Sequence, residues 1–229
     1  MDVRVVPAGD AAWLVELPER IDPVVNARAI DIAARVRRAG LPFVLDVVVG
    51  YRSVMVHVDP MAEGAAATEG RLHAIVAEPS DGAVAHGASI EVPACYDAAF
   101  GPDLPDVAAY AHCDVADVIE RHLAVEYRVF VVGFVPGFAY MAPVDPRIAA
   151  PRRAAPRVRV PRGSVAIAAG QTGIYPAETP GGWNLIGRTP IRPYAPDRSD
   201  PFLFRVGDRV RFKRISASEY RETTEWGDV

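Results

Sequence analysis

The segment 170–190, GQTGIYPAETPGGWNLIGRTP, combines side chains that could take part in chemistry with residues that stiffen a backbone. Gln171, Tyr175, Glu178 and Trp183 are unusual side chains for a mere connector, since rigid loops on β scaffolds often carry function. Five glycines and three prolines surround these side chains. Because glycine permits tight turns and proline fixes φ, the composition favours a rigid loop that carries a site.

The glycines of this segment do not have the spacing of a standard phosphate-binding loop. Neither G-x-G-x-x-G nor G-x-x-x-x-G-K-[ST] is present, and no helix signal follows them. A nucleotide site of either standard type is therefore disfavoured here. The alternative to a site is a plain connector whose glycines serve turns and close backbone approach.

A second segment with the same chemistry, GFVPGFAYM, spans residues 133–141. Gly133, Pro136 and Gly137 shape its backbone, and Phe138 and Tyr140 belong to its aromatic set. These aromatic side chains could plug one end of a barrel. They could equally form the wall of a ligand pocket, since such pockets are mostly apolar with a few polar anchors.

The segment between these two is rich in arginine and proline. Prolines recur at 146, 151, 156 and 161, and six arginines lie between 147 and 162. Proline favours extended backbone, so the segment is predicted to be stiff. The arginines of this segment could bind a carboxylate or phosphate, because a guanidinium can bind either group through two hydrogen bonds. The alternative is a solvated or interfacial loop.

Nucleophilic catalysis has no recognisable triad in this chain. The five histidines are scattered, and no Ser or Cys lies in a G-x-S-x-G turn. His122, on the inner face of a predicted helix, is the best placed. The alternative to a functional role is a buried core residue with hydrogen bonds.

The first third of the chain has the pattern of a small α+β unit. Short apolar runs predict strands in the order β-β-α-β-β-α, and Asp22-Pro23 is typical of a helix N-terminus. Polar and small residues interrupt the pattern at 78–88. We therefore predict an α+β fold with an N-terminal domain over 1–83 and a second domain over 84–229.

The second domain reads mainly as β structure. After one strand and two short helices come the runs YRVFVVGF, SVAIAA, FLFRV and DRVRFKRI, separated by segments rich in proline and glycine. Many short strands with turn signals indicate a barrel or a sandwich. Ser216 and Glu219 have the spacing of a capping box and predict a terminal helical turn.

Composition excludes several classes of protein. The chain has 229 residues, a formal net charge of -4 and 50% hydrophobic residues, so it can bury a core and lacks the basic excess of a nucleic-acid binder. No apolar run reaches the roughly 18 residues that span a bilayer. The two cysteines have no metal-ligand spacing. We expect a soluble cytoplasmic protein with no bound metal and no partnership with nucleic acid or membrane.

Three segments carry a resemblance to a known family: HLAVEYRVFVVGFVPGFAYM, PRRAAPRVRVPRGSVAIAAGQTGIYPAETPGGWNLIGRTP and GDRVRFKRI. They resemble the carboxyltransferase C–D domain family, whose members are variously named allophanate hydrolase subunit 1, 5-oxoprolinase subunit and sporulation-kinase inhibitor. The resemblance covers nearly the whole chain. It implies an N-terminal α+β domain followed by a C-terminal cyclophilin-like β-barrel.

The resemblance also implies a function. A chain of this kind would be one subunit of a heteromeric ATP-dependent amide hydrolase, with 5-oxoprolinase, which converts 5-oxoproline and ATP to glutamate, as the first choice. It would be inactive alone and would assemble with the family's second subunit and a third one. ATP, with Mg, would be bound by the complex. One alternative is a non-enzymatic inhibitor of a histidine kinase, and a weaker one is carboxyl transfer as in urea carboxylase.

On this hypothesis the candidate residues take specific roles. His122, Gln171 and Tyr175 are the catalytic candidates, the first as proton carrier and the others as residues that orient the amide. The substrate-binding candidates are the aromatic residues Phe138, Tyr140 and Trp183 and the anion donors Arg157 and Arg159. The chain departs from the family where C-Y-G-G-E is replaced by CYDAAFGPDL, so a contact made by the turn at 97–99 is in doubt.

Overall fold

The structure, a computed structural model, describes residues 3–79 and 87–223. By its contacts the chain divides into two compact units, Met1–His86 and Gly87–Val229. The predicted domain boundary between residues 83 and 84 lies outside the described residues.

The first unit is a four-stranded antiparallel sheet with helices. Its elements are β1 (Arg4–Pro7), β2 (Ala12–Glu16), α1 (Pro23–Arg38), β3 (Val44–Val49), β4 (Ser53–Val58) and α2 (Ala65–Ala77). The sheet has the order β1-β2-β4-β3. The Asp22 side chain caps α1 by accepting hydrogen bonds from the backbone N–H groups of Val24 and Val25 at 2.7 and 3.2 Å. The predicted element order of this unit is confirmed.

The second unit contains most of the strands. Its elements are β5 (Ser89–Cys95), α3 (Leu104–Ala111), α4 (Val115–Leu123), β6 (Tyr127–Val132), β7 (Ala139–Ala142), a 3₁₀ turn (Pro146–Ile148), β8 (Arg157–Val160), β9 (Ser164–Ala168), β10 (Gln171–Ile174), β11 (Thr179–Gly181), β12 (Asn184–Arg188), β13 (Arg209–Ile215) and α5 (Ala217–Thr223). The predicted capping box before α5 is present, since the Glu219 carboxylate accepts from the Ser216 backbone N–H at 2.7 Å and the Glu219 backbone N–H donates to the Ser216 hydroxyl at 3.2 Å.

Seven of the described strands close into a barrel in the order β10-β7-β6-β13-β5-β12-β9. All its pairs are antiparallel except β5 with β13, which run parallel. Inside lies one large apolar core that includes Val129, Met141, Val165, Ile167 and Ile174, all fully buried. The α+β class with a C-terminal β-barrel is therefore confirmed.

Two predicted elements are wrong in detail. FLFRV, 202–206, is not a strand and makes only an isolated bridge between Tyr194 and Phe202. The Leu203 backbone N–H donates to the Pro193 carbonyl at 2.9 Å, but the Arg205 backbone N–H donates to the Asp208 carboxylate at 2.7 Å, so the pairing does not continue along the segment. Segment 170–190 is not one long loop, because β10, β11 and β12 lie within it.

Candidate functional site

Strand alternation places a second cluster of side chains on the outside of the barrel wall. In β9, Val165 and Ile167 point into the main core, so Ala166 and Ala168 point to the opposite face. The outer cluster consists of the following residues: Phe138, Val160, Ala166, Ala168, Tyr175, Trp183 and Leu185. The candidate wall residues of two separate sequence segments therefore meet on one face of the barrel.

Gly173 makes room for the central ring of this cluster. A Cβ at this position would lie 2.9 Å from Phe138 Cζ and 3.0 Å from the Ala139 carbonyl oxygen. The Phe138 ring therefore rests against bare backbone of β10. It contacts Tyr175 and Trp183 edge to face, with centroids 5.2 and 5.5 Å apart and interplanar angles of 78° and 89°.

A cavity of about 310 Å³ opens beside these rings. Its lining residues are Phe134, Phe138, Tyr140, Arg152, Pro156, Tyr175, Pro180, Gly181, Gly182 and Trp183. Four of the predicted site residues, Phe138, Tyr140, Tyr175 and Trp183, lie together here. The space and its mainly aromatic lining suit a small ligand with a flat apolar face.

Two phenol groups supply polarity to the cavity. Burial raises the pKa of Tyr175, while a hydrogen bond from the Trp183 backbone N–H acts in the opposite direction. Burial likewise raises the pKa of Tyr140, opposed by the positive charge of Arg152. Both hydroxyls are therefore protonated at neutral pH and add polar groups to the aromatic lining.

Arg152 is the cavity residue that the sequence reasoning missed. Its guanidinium lies over the Trp183 ring, 5.9 Å from the centroid, in the geometry of a cation–π contact. In the sequence it is one of six arginines of the same segment. Only the fold separates it from the others, so no local signal pointed to it.

Arg157, predicted as an anion donor, is instead tied to a carboxylate of the protein. Its two terminal nitrogens donate to both oxygens of Asp103 at 2.8 and 2.7 Å. This hydrogen bonding raises the pKa of Arg157. Arg153 also donates to Asp103, at 2.8 Å, and the Leu185 backbone N–H does so at 2.7 Å. Asp103 is thus a buried hub that joins the arginine segment to β12.

Arg159, the other predicted anion donor, lies on β8 and is exposed. Its Nε donates to Glu178 at 2.9 Å across the two-stranded β8–β11 sheet. Neither Arg157 nor Arg159 is among the residues that line the cavity. Their role as anion donors stays a prediction, and their carboxylate partners argue against it.

His122 lies inside the barrel core and not at the cavity. Its side chain is fully buried, with Nδ1 2.9 Å from the Tyr96 hydroxyl and Nε2 3.0 Å from the Thr172 hydroxyl. Burial lowers the pKa of His122 to about 3. This environment matches the alternative of a core histidine, and His122 is not among the residues that line the cavity, so its role as a proton carrier stays a prediction.

Gln171 starts β10 at the tight turn after β9, where it pairs with Ala168. It is half-buried, and it is not among the residues that line the cavity. Its predicted role in orienting an amide stays a prediction. Tyr175, five positions after Gly170 on the same stretch, is the polar residue of this segment that the fold does bring to the cavity.

Membrane-spanning helices and metal-binding clusters are both absent from residues 3–79 and 87–223. Within those ranges no helix combines the length and the apolar character that crossing a membrane would take. The same residues bring together no trio of His, Cys, Asp or Glu side chains of the kind that holds a metal ion.

Comparison with known proteins identifies the family. Residues 3–204 match the family described as carboxyltransferase domain, subdomain C and D. The chain belongs to this family. The carboxyltransferase-domain chain is also similar to a 5-oxoprolinase subunit of Bacillus subtilis (strain 168), with 36% identity over 95% of each chain. That name describes one subunit of an enzyme with several subunits.

Solved structures share the fold of this carboxyltransferase-domain chain. The crystal structure of TTHA0988 has a TM-score of 0.80 and 37% sequence identity, over 90% of this chain and 40% of that one. The urea amidolyase of Kluyveromyces lactis has a TM-score of 0.79 and 22% identity, over 96% of this chain and 15% of that one. The chain therefore spans less than half the length of either solved protein.

The departure from the family pattern at 97–99 lies next to the Asp103 hub. The backbone N–H groups of Phe100 and Gly101 both donate to the Asp97 carbonyl, at 2.8 and 2.9 Å, and close a turn. A Cβ on Gly101 would lie 2.3 Å from the Ile186 carbonyl oxygen, so this turn packs directly on β12. In this carboxyltransferase-domain chain the altered turn therefore still delivers Asp103 to its partners.

Proposed function

We propose that the chain is a subunit of a heteromeric ATP-dependent hydrolase that opens the lactam ring of 5-oxoproline to give glutamate. The observation that carries this proposal is the similarity to the Bacillus subtilis 5-oxoprolinase subunit over 95% of both chains. The aromatic cavity adds support, because its small volume suits a five-membered ring better than it suits a nucleotide.

The chemistry of ring opening explains why ATP is needed. A lactam amide is a poor electrophile, so the lactam oxygen first takes the γ-phosphoryl group of ATP. Water then adds to the activated carbon and loses a proton, and the C–N bond breaks as the nitrogen takes a proton. A second water releases phosphate from the resulting acyl phosphate and leaves glutamate. This sequence needs a site that limits the access of bulk water.

This chain would contribute binding and orientation to that reaction. Phe138 and Trp183 offer apolar faces to the ring, and the protonated hydroxyls of Tyr140 and Tyr175 offer hydrogen bonds to its oxygen atoms. His122 is left out of this role because it is enclosed in the barrel core.

We assign ATP, with Mg, to the complex and not to this cavity. A triphosphate needs several donors, whereas the cavity lining includes a single charged side chain, Arg152. The partners we propose are the second subunit of the same system and a third subunit. The chain alone is expected to be inactive.

The test is reconstitution. We expect the three purified subunits, mixed with ATP and 5-oxoproline, to form glutamate, and we expect none when this chain is omitted. Glutamate is measured by amino-acid analysis, with ADP release as a second readout. A complete, folded complex that forms no glutamate would contradict the proposal.

A further inference from the structure

One charged side chain borders an otherwise uncharged cavity. Of the ten lining residues, five are aromatic, four are proline or glycine, and the tenth is Arg152. Among the residues that the structure describes, no carboxylate forms an ion pair with Arg152. An arginine that is stacked on an aromatic ring and lacks an acidic partner keeps its hydrogen-bond donors available for an anion.

The backbone on both sides of Arg152 is fixed by hydrogen bonds. The Asn184 side chain donates to the Pro151 carbonyl at 2.8 Å. The Arg153 backbone N–H donates to the Gly182 carbonyl at 2.9 Å. The backbone at Arg152 is therefore held beside the Gly182–Trp183 edge of the cavity before any ligand arrives, while its exposed side chain rests on the Trp183 ring. Such preorganisation reduces the entropy that binding would otherwise cost.

The neighbouring arginines differ from Arg152 in one respect. Arg153 and Arg157 both donate to Asp103, and Arg159 donates to Glu178. Their charges are thus compensated within the protein and serve to anchor the segment. The compensation leaves Arg152 as the cation of this segment that faces the cavity.

We propose that Arg152 is the residue that makes the cavity selective for small ring compounds bearing a carboxylate. The guanidinium would bind the carboxylate at the edge of Trp183, while the ring would lie among Phe138 and the two phenols. This assignment rests on the proposed function for the choice of 5-oxoproline as the ligand. The carboxylate selectivity itself rests on the cavity.

Direct binding to the full chain tests this proposal without any turnover. Isothermal titration calorimetry compares 5-oxoproline with pyrrolidinone, which is the same lactam ring without the carboxylate. We expect the wild-type chain to bind 5-oxoproline at least about tenfold more tightly, because a charge-assisted hydrogen bond is among the stronger polar contacts. Arg152→Gln should lose most of this preference, and Arg152→Lys should keep part of it.

Arg211→Gln is the matched control. Arg211 is an exposed arginine of the same unit, paired with Glu126 at 3.0 Å, and it does not line the cavity. This variant should bind as the wild type does. The proposal would be overturned if Arg152→Gln still preferred 5-oxoproline. It would also be overturned if the wild-type chain bound the two ligands equally tightly, or bound neither.

Two further outcomes separate this inference from the proposed function. Inorganic phosphate that binds as tightly as 5-oxoproline would assign Arg152 to a phosphoryl group and contradict the carboxylate selectivity. The complex could form no glutamate while calorimetry still shows an Arg152-dependent preference for 5-oxoproline. That result would overturn the proposed reaction and support the carboxylate site.

Discussion

His122 illustrates how burial removes an ionisable side chain from chemistry. The hydrogen-bond chain fits a neutral ring: the Tyr96 hydroxyl donates to Nδ1, Nε2–H donates to Thr172, and the Thr172 hydroxyl donates to the Ala166 carbonyl at 3.0 Å. A charged imidazolium would have two donors, and Tyr96 could then no longer donate to it. Geometry and burial therefore both favour the uncharged form.

The same environment makes stability depend on pH. The pKa of His122 falls from 6.5 to about 3 on folding, so the unfolded chain binds more protons than the folded one as the pH drops. The contribution of the neutral His122 to the free energy of unfolding is complete above about pH 6.5 and is lost progressively as the pH falls toward 3. We expect a slope of up to about 1.4 kcal/mol per pH unit in this window.

Urea denaturation between about pH 7 and pH 5 measures this slope. His122→Gln, which keeps a hydrogen-bonding side chain but cannot take up the proton, should be less stable at pH 7 and should show a shallower pH dependence. Because the variant and the wild type differ only at residue 122, the difference between their pH profiles removes the contribution of all other titrating groups to the free energy of unfolding. Parallel pH profiles of variant and wild type would contradict the assignment.

The sequence does not show which arginine of the segment 147–162 faces the cavity. The segment 147–162 predicts an anion site at Arg157 and Arg159, but both have carboxylate partners in the structure, and the anion site itself stays a prediction. Asp103 lies 54 positions from Arg157 in the chain, so no local pattern could reveal that pair. The aromatic candidates Phe138, Tyr140 and Trp183 do line the cavity, because large apolar side chains pack together in the fold.

At the scale of elements, the site depends on the close packing of Phe138 against the backbone of β10 at Gly173. Gly173 is the residue whose missing side chain lets the ring approach the strand closely. Strand alternation and apolar runs predicted most strands of the barrel. The sequence did not predict that 170–190 would form three strands, since its glycines and prolines are individually poor strand formers. Pairing with β7, β8 and β9 overrides that preference.

Gly173→Ala tests this arrangement. The added Cβ would meet Phe138 Cζ at 2.9 Å and the Ala139 carbonyl at 3.0 Å, so the ring or the strand must move. We expect a loss of about 1–3 kcal/mol in the free energy of unfolding, as is usual for overpacking, together with weaker binding of 5-oxoproline. Chemical denaturation and calorimetry measure the two effects.

Gly170→Ala is the control for this substitution, three positions earlier. A Cβ there would have no heavy atom within 4 Å beyond its chain neighbours, so stability and binding should stay close to the wild type. If both alanine variants behaved alike, the close packing of Phe138 on β10 would not be what shapes the cavity.

At the scale of the whole molecule, this fold recurs as part of longer chains. It corresponds to 40% of the TTHA0988 chain and 15% of the Kluyveromyces lactis urea amidolyase chain, but to 95% of the Bacillus subtilis protein. The same pair of units thus occurs both as a separate polypeptide and within a larger one. The TTHA0988 chain, 37% identical and more than twice as long as the matched part, supports the proposal that the chain works next to partner domains.

Ligand recognition is expected to belong to the second unit alone. Every residue that lines the cavity, and the Asp103 hub that anchors its arginine segment, belongs to the unit Gly87–Val229. The barrel of this unit closes with its own strands. We therefore expect residues 87–229, expressed alone, to unfold cooperatively on heating and to prefer 5-oxoproline over pyrrolidinone by the same factor as the full chain. Circular dichroism and calorimetry measure the two properties, and residues 1–86 should show no such preference. A barrel unit that folds but loses the preference would mean that the first unit takes part in recognition.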